Sequence, residues 1–171
     1  MTNWCIPRVR RWIVITLLTC ASCGLVGCTT SPERAQLQAL EGTWQISDLQ
    51  AYGPRGDLTT VLRSRYESPP TLTFASASNS SRYILEGTPT ADETQAFAIE
   101  GQLEETGSTT IAFVSGFSVP IVWRLDVATG TRAQLDSGPG RQGPALFLRT
   151  LLPGIAWSDT EGARLQIERT D

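Results

Sequence analysis

From Gly42 to the C-terminus, apolar residues recur at every second position in short runs, and this period commits the chain to β-sheet. Phe97, Ile99 and Leu103 alternate with Glu100, Gln102 and Glu104. Ile121, Trp123, Leu125 and Val127 alternate with Arg124 and Asp126, and Leu165 and Ile167 with Arg164, Gln166 and Glu168. Each such strand has one buried and one wet face. Shorter runs lie at Thr43 to Gln50, Thr71 to Ala75, Arg82 to Glu86, Thr109 to Ser115, Thr131 to Asp136 and Ala145 to Thr150, which makes nine strands, and Ile155 to Trp157 is a candidate tenth. Glu105-Thr106-Gly107, Ala128-Thr129-Gly130 and Thr160-Glu161-Gly162 are short loops ending in glycine, the connections of an antiparallel meander. The expected fold is all-β: an up-and-down barrel of about eight to ten strands with a short N-terminal helix.

Ahead of this domain, Arg8, Arg10 and Arg11 precede an apolar run from Trp12 to Leu18 that continues to Val26. That is the layout of a signal peptide, and the 16 residues from Trp12 to Gly27 are too few and too interrupted to span a bilayer, which takes about 20. Leu25-Val26-Gly27-Cys28 resembles the lipobox of bacterial lipoproteins. The resemblance implies removal of residues 1–27, diacylation of the Cys28 thiol by palmitate-type chains and acylation of the new amino terminus. Two or three chains anchor stably where one is marginal. In Gram-negative relatives an Asp after the cysteine favours retention at the inner membrane, and Thr29 stands there instead. The implied location is the cell envelope, on the outer membrane facing the periplasm if the cell has one. The alternative is an ordinary secretory leader followed by an incidental cysteine.

All four cysteines (Cys5, Cys20, Cys23, Cys28) lie at or before that cleavage point, so the mature domain has no disulfide and must stand on its core. Taking 27 residues from 171 leaves 144, enough for one domain: a tether and short helix at 28–41, then the barrel at 42–171. Ser31-Pro32-Glu33 reads as a helix start, with Leu37 and Leu40 on one face and Gly42 as its end. The sequence has no His and no Lys. Without the three leader arginines, 11 Arg face 17 acids, a net charge of −6 with no basic stripe, which excludes nucleic acid as a partner.

Gly42-Thr43-Trp44, at the start of the first strand and after a short helix, resembles the lipocalin signature. The resemblance implies that Trp44 closes one end of an eight-stranded barrel and that a late Arg packs over it. Arg149, Arg164 and Arg169 are the late arginines. It also implies a small apolar or amphipathic ligand in the cup. The connection from Tyr52 to Pro70 would then border the open end, where Asp57 caps a short helix, Leu58, Val61 and Leu62 form an apolar lid, and Arg55, Arg63 and Arg65 meet an acidic head group. The plainer alternative is that these leucines plug the barrel and the arginines are solvated.

Other motifs carry less. Gly138-Pro139-Gly140-Arg141-Gln142-Gly143 spells G-x-G-x-x-G, but a dinucleotide site needs that turn to open a helix, whereas Ala145-Leu146-Phe147-Leu148 reads as a strand. Arg55-Gly56-Asp57 reads as a solvated turn, and Asn79-Ser80-Ser81 is a sequon in spelling alone. Lack of His and Lys excludes the Ser-His-Asp triad, the common zinc sites and Schiff-base chemistry, and implies no cofactor and no metal. Paired carboxylates remain as a route to hydrolysis, with Asp48 the first to inspect because it follows Trp44 and Ile46 at period two. Two functions stand against each other. One is carriage or sensing of a small ligand in the cup; the other is a structural or protein-binding envelope lipoprotein whose barrel is packed solid by Phe74, Tyr83, Phe97, Phe113, Trp123 and Phe147.

Overall fold

The computed structural model describes residues 37–77, 80–90, 96–141 and 143–170. The leader, Cys28, the Ser31-Pro32-Glu33 helix start, Asn79 and Gln142 lie outside the described residues. Nine strands are present among them: β1 Gly42–Tyr52, β2 Gly56–Asp57, β3 Thr71–Ala77, β4 Ser80–Gly87, β5 Phe97–Gly107, β6 Thr110–Phe113, β7 Ile121–Thr129, β8 Arg132–Asp136 and β9 Gly162–Arg169. Two helices interrupt them, α1 Thr59–Arg65 and α2 Gly143–Leu151. Each barrel strand pairs antiparallel with the next, and β9 returns to pair with β1, so all strands but β2 form a closed eight-stranded barrel. The two-residue β2 is a hairpin partner for the end of β1.

Period two is what directs side chains inward. Trp44 and Ile46, Leu72 and Phe74, Tyr83 and Leu85, Ile111 and Phe113, Ile121, Trp123 and Leu125, Ala133 and Leu135, and Ala163, Leu165 and Ile167 all join one core. In β1 the alternation breaks at a bulge between Ile46 and Asp48. A bulge inserts one residue and shifts the faces, so Leu49 and Ala51 take the interior places and Asp48 stands opposite the exposed Gln166. The period-two expectation that put Asp48 inside therefore fails; its carboxylate accepts from the Thr59 hydroxyl at 2.6 Å.

The expected strand at Ala145 to Thr150 is a helix, α2. Pro144, Phe147, Leu148 and Leu151 are its buried residues, spaced as one helical face, and Ala, Leu and Arg are strong helix formers. The candidate tenth strand at Ile155 to Trp157 forms no strand. With α2 following, the G-x-G-x-x-G stretch does open a helix, contrary to the context assumed for it. That helix nevertheless leads to a strand antiparallel to β8, whereas a dinucleotide fold needs a parallel crossover.

The barrel has two unlike ends. At one, Gly42 pairs with Phe74 and Trp44 with Arg169. At the other, Tyr52 pairs with Gly162, Gly87 with Phe97 and Phe113 with Ile121, and both long connections, from β1 to β3 and from β8 to β9, start there. Among the described residues no helix is long and apolar enough to cross a membrane.

Candidate functional site

The end of the barrel at Gly42 and Trp44 is closed. Leu37 to Leu40 are helical, with Leu37 and Leu40 buried, and Gly42 at φ 121° turns the chain from helix into β1. The Trp44 indole Nε1 donates to the Leu40 carbonyl at 2.6 Å. Of the late arginines, Arg169 packs over Trp44, its guanidinium carbon 4.9 Å from the ring centroid, because strand register sets it beside Trp44. It also donates to the Ala39 and Glu41 carbonyls and so ties helix, β1 and β9 together. Arg164 and Arg149 are elsewhere.

At the far end the barrel is filled by its own chain. Phe147 of α2 lies with its ring 5.5 Å from Trp123, 5.9 Å from Phe117 and 6.2 Å from Phe113. Tyr83 stacks on Phe113 at 4.1 Å and its hydroxyl donates to the Ser115 carbonyl. Gly101 makes room for that ring, since a Cβ there would sit 2.6 Å from it. Leu58 and Leu62 are also buried in this core, whereas Val61 is 39% exposed. Asp57 accepts from the Thr59 backbone N–H at 2.8 Å at the start of α1, and Arg63 donates to the Ser47 carbonyl. The Arg65 carbonyl accepts from Thr90. The Tyr66 hydroxyl at the end of α1 donates to the Leu151 carbonyl at the end of α2, so the two long connections meet over the opening.

The clefts among the described residues include two around this rim. The larger, about 930 Å³, runs between the Pro54 turn, the first turns of α2 and the segment from Trp157 to Glu161, with Arg141 and Arg149 in its lining. Its walls are held together by backbone contact: the Glu161 N–H donates to the Tyr52 carbonyl at 3.0 Å and the Arg141 N–H to the Glu161 carbonyl at 2.7 Å. Gly53, at φ 113°, is required here, because a Cβ would lie 2.5 Å from the Asp159 carbonyl oxygen. Arg55 enters the same neighbourhood, its guanidinium 5.5 Å from the Trp157 ring centroid. Thus Arg55 borders this cleft, while Leu58 and Leu62 do not line it.

The smaller cleft, about 380 Å³, is on the outer face beside Asp136. Asp136 is 3% exposed although it follows the outward register of β8. It accepts from the Tyr52 hydroxyl at 2.9 Å, the Gly138 N–H at 2.7 Å, Arg164 at 3.2 Å and Arg124 at 3.4 Å. Burial works to raise its pKa, but the Gly138 N–H, Tyr52 and Arg164 outweigh burial and hold the carboxyl below its ordinary value. The cluster joins β1, β7, β8 and β9 across the barrel seam. Nothing in the sequence marks it, since an acid at the wet end of an alternating strand gives no sign of burial.

Among the described residues no group of three or more His, Cys, Asp or Glu is arranged to hold a metal. No family model and no curated protein matches the sequence. Among solved structures the chain is similar to a redesigned β-barrel, at 15% identity and a TM-score of 0.46 over 79% of this chain and 95% of that one. It is also similar to insecticyanin from the tobacco hornworm Manduca sexta, at 8% identity and a TM-score of 0.49 over 78% of this chain and 63% of that one. Both likenesses concern the general course of the chain and not the site.

Proposed function

We propose that the chain is a lipid-anchored protein of the cell envelope whose lipocalin-like barrel keeps its lumen filled and binds a small amphipathic ligand at its rim. The observation that supports this most is the seat of Phe147 among Phe113, Phe117 and Trp123, where the ligand of an open cup would lie. A cleft of about 930 Å³ at the rim falls within the usual size of small-molecule sites. Polarity of the barrel agrees. Cys28 precedes Gly42 by 14 residues, so an anchor there approaches the closed end and leaves the rim cleft facing away from the membrane.

A second reading, an envelope lipoprotein that acts through protein contacts and takes no ligand, is favoured by the same filled interior. The first of two measurements tests the anchor that both accounts share, and the second separates them. Metabolic labelling with a palmitate analogue should mark the wild type and not Cys28→Ser, which should also leave the membrane fraction; a labelled, membrane-bound Ser variant contradicts the anchor. Fatty acids, quinones and porphyrins titrated into the mature protein should give saturable binding for one class. A panel without any saturable binding favours the second reading.

A further inference from the structure

We propose that the rim cleft is an oxyanion site, taking the carboxylate, phosphate or sulfonate head of an amphipathic small molecule. The inference rests on the rim being the binding face. Trp157 and Thr160 line the cleft and are only 4% and 6% exposed, yet neither the indole Nε1 nor the Thr160 hydroxyl has a hydrogen-bond partner among the described residues. Buried Trp N–H groups normally find an acceptor, and leaving one unmade is destabilising. An indole N–H is a donor and nothing else, so the missing group is an acceptor. Trp123 also has an unpaired Nε1, but its ring is packed against Phe147 and Phe113 in the core, where no described cleft reaches it.

The charges around the cleft point the same way. Arg82, Arg124, Arg132 and Arg164 all pair with carboxylates. Arg141 and Arg149 pair with none among the described residues, although Asp159 and Glu161 line the same cleft. Arg55 spends its guanidinium on the Trp157 ring, which brings a third cation to the buried N–H. Asp159 and Glu161 oppose an anion; they are exposed and screened by water, as Arg141 and Arg149 are, whereas the unmet donors of Trp157 and Thr160 are buried. Gly143, Ala145 and Leu146, residues of the first turn of α2, where backbone N–H groups lack intrahelical acceptors, also line the cleft. Pro54, Val119, Ala145 and Leu146 supply an apolar wall for the rest of the molecule, with Val119 45% exposed.

The test uses the lipidated mature protein in phosphatidylcholine nanodiscs with 5-fluorotryptophan, read by 19F NMR during titration with octanoate. The Trp157 resonance should shift saturably while Trp44 and Trp123 stay fixed. Octylamine and 1-octanol should bind at least about tenfold more weakly, and Arg141→Gln and Arg149→Gln should each weaken octanoate about tenfold with the thermal midpoint unchanged, the loss expected for a charge-assisted hydrogen bond. Trp157→Phe, which keeps an aromatic ring and removes the donor, should weaken it similarly by equilibrium dialysis. Equal binding of 1-octanol at Trp157 overturns the oxyanion assignment and leaves the rim as the binding face. A shift of Trp123 instead places the ligand in the lumen and overturns both. Absence of a saturable Trp157 shift with both octanoate and phosphatidylglycerol overturns the oxyanion assignment. Short-chain phosphatidylglycerol added in solution, which can reach a cleft that faces away from the membrane, separates sources: a Trp157 shift with it and none with octanoate supports the oxyanion chemistry and assigns it to a lipid head group.

Discussion

Asp136 shows how one side chain can hold a barrel seam. Because its carboxyl titrates lower in the folded protein than in the unfolded chain, it contributes stability that is present above the unfolded pKa and lost as pH falls through the folded one. Asp136→Asn should therefore cost about 1–3 kcal/mol at neutral pH and flatten the acid limb of the stability curve. Urea unfolding at neutral pH and again near pH 3 checks this; equal loss at both contradicts the assignment. Trp44→Ala, which removes a fully buried aromatic and its bond to Leu40, should cost about 3–5 kcal/mol by the same measurement. Trp44 was legible from three residues of sequence, but its partner was not. Arg149, Arg164 and Arg169 are equivalent by composition, and strand register alone decides among them.

At the level of elements, alternation located all eight barrel strands because one buried face imposes period two wherever a strand is long enough to show it. The bulge in β1 and the helix α2 escaped for opposite reasons. One extra residue reverses the faces without altering composition, so Asp48 was misplaced inside. A short apolar run such as Ala145 to Thr150 fits either period, and only the packed structure shows Phe147, Leu148 and Leu151 on one helical face. The rim cleft was illegible altogether, since Pro54, Arg141 and Trp157 meet only once the barrel has closed. Phe147 is the residue through which α2 enters the core. Phe147→Ala should cost about 3–5 kcal/mol and loosen α2, with amide hydrogen exchange rising in Gly143–Leu151 more than in β7. Uniform exchange across both would show that α2 is not a separate plug.

On the scale of the whole molecule, the two ends of the barrel divide the labour. Arg169, Trp44 and the helix before β1 seal one end; α1, α2 and the loop aromatics fill the other. The filling is what moves the proposed ligand from the cup to the rim, and it is the claim on which the functional reading turns. Xenon enters dry apolar cavities and leaves close-packed interiors empty, so crystals of the mature protein under xenon pressure address it directly. The wild type should show no xenon among Phe113, Trp123 and Phe147, and Phe147→Ala should gain a site at that position. A well-occupied xenon atom inside the wild-type barrel would contradict the account, for it would mean that the cup is open after all.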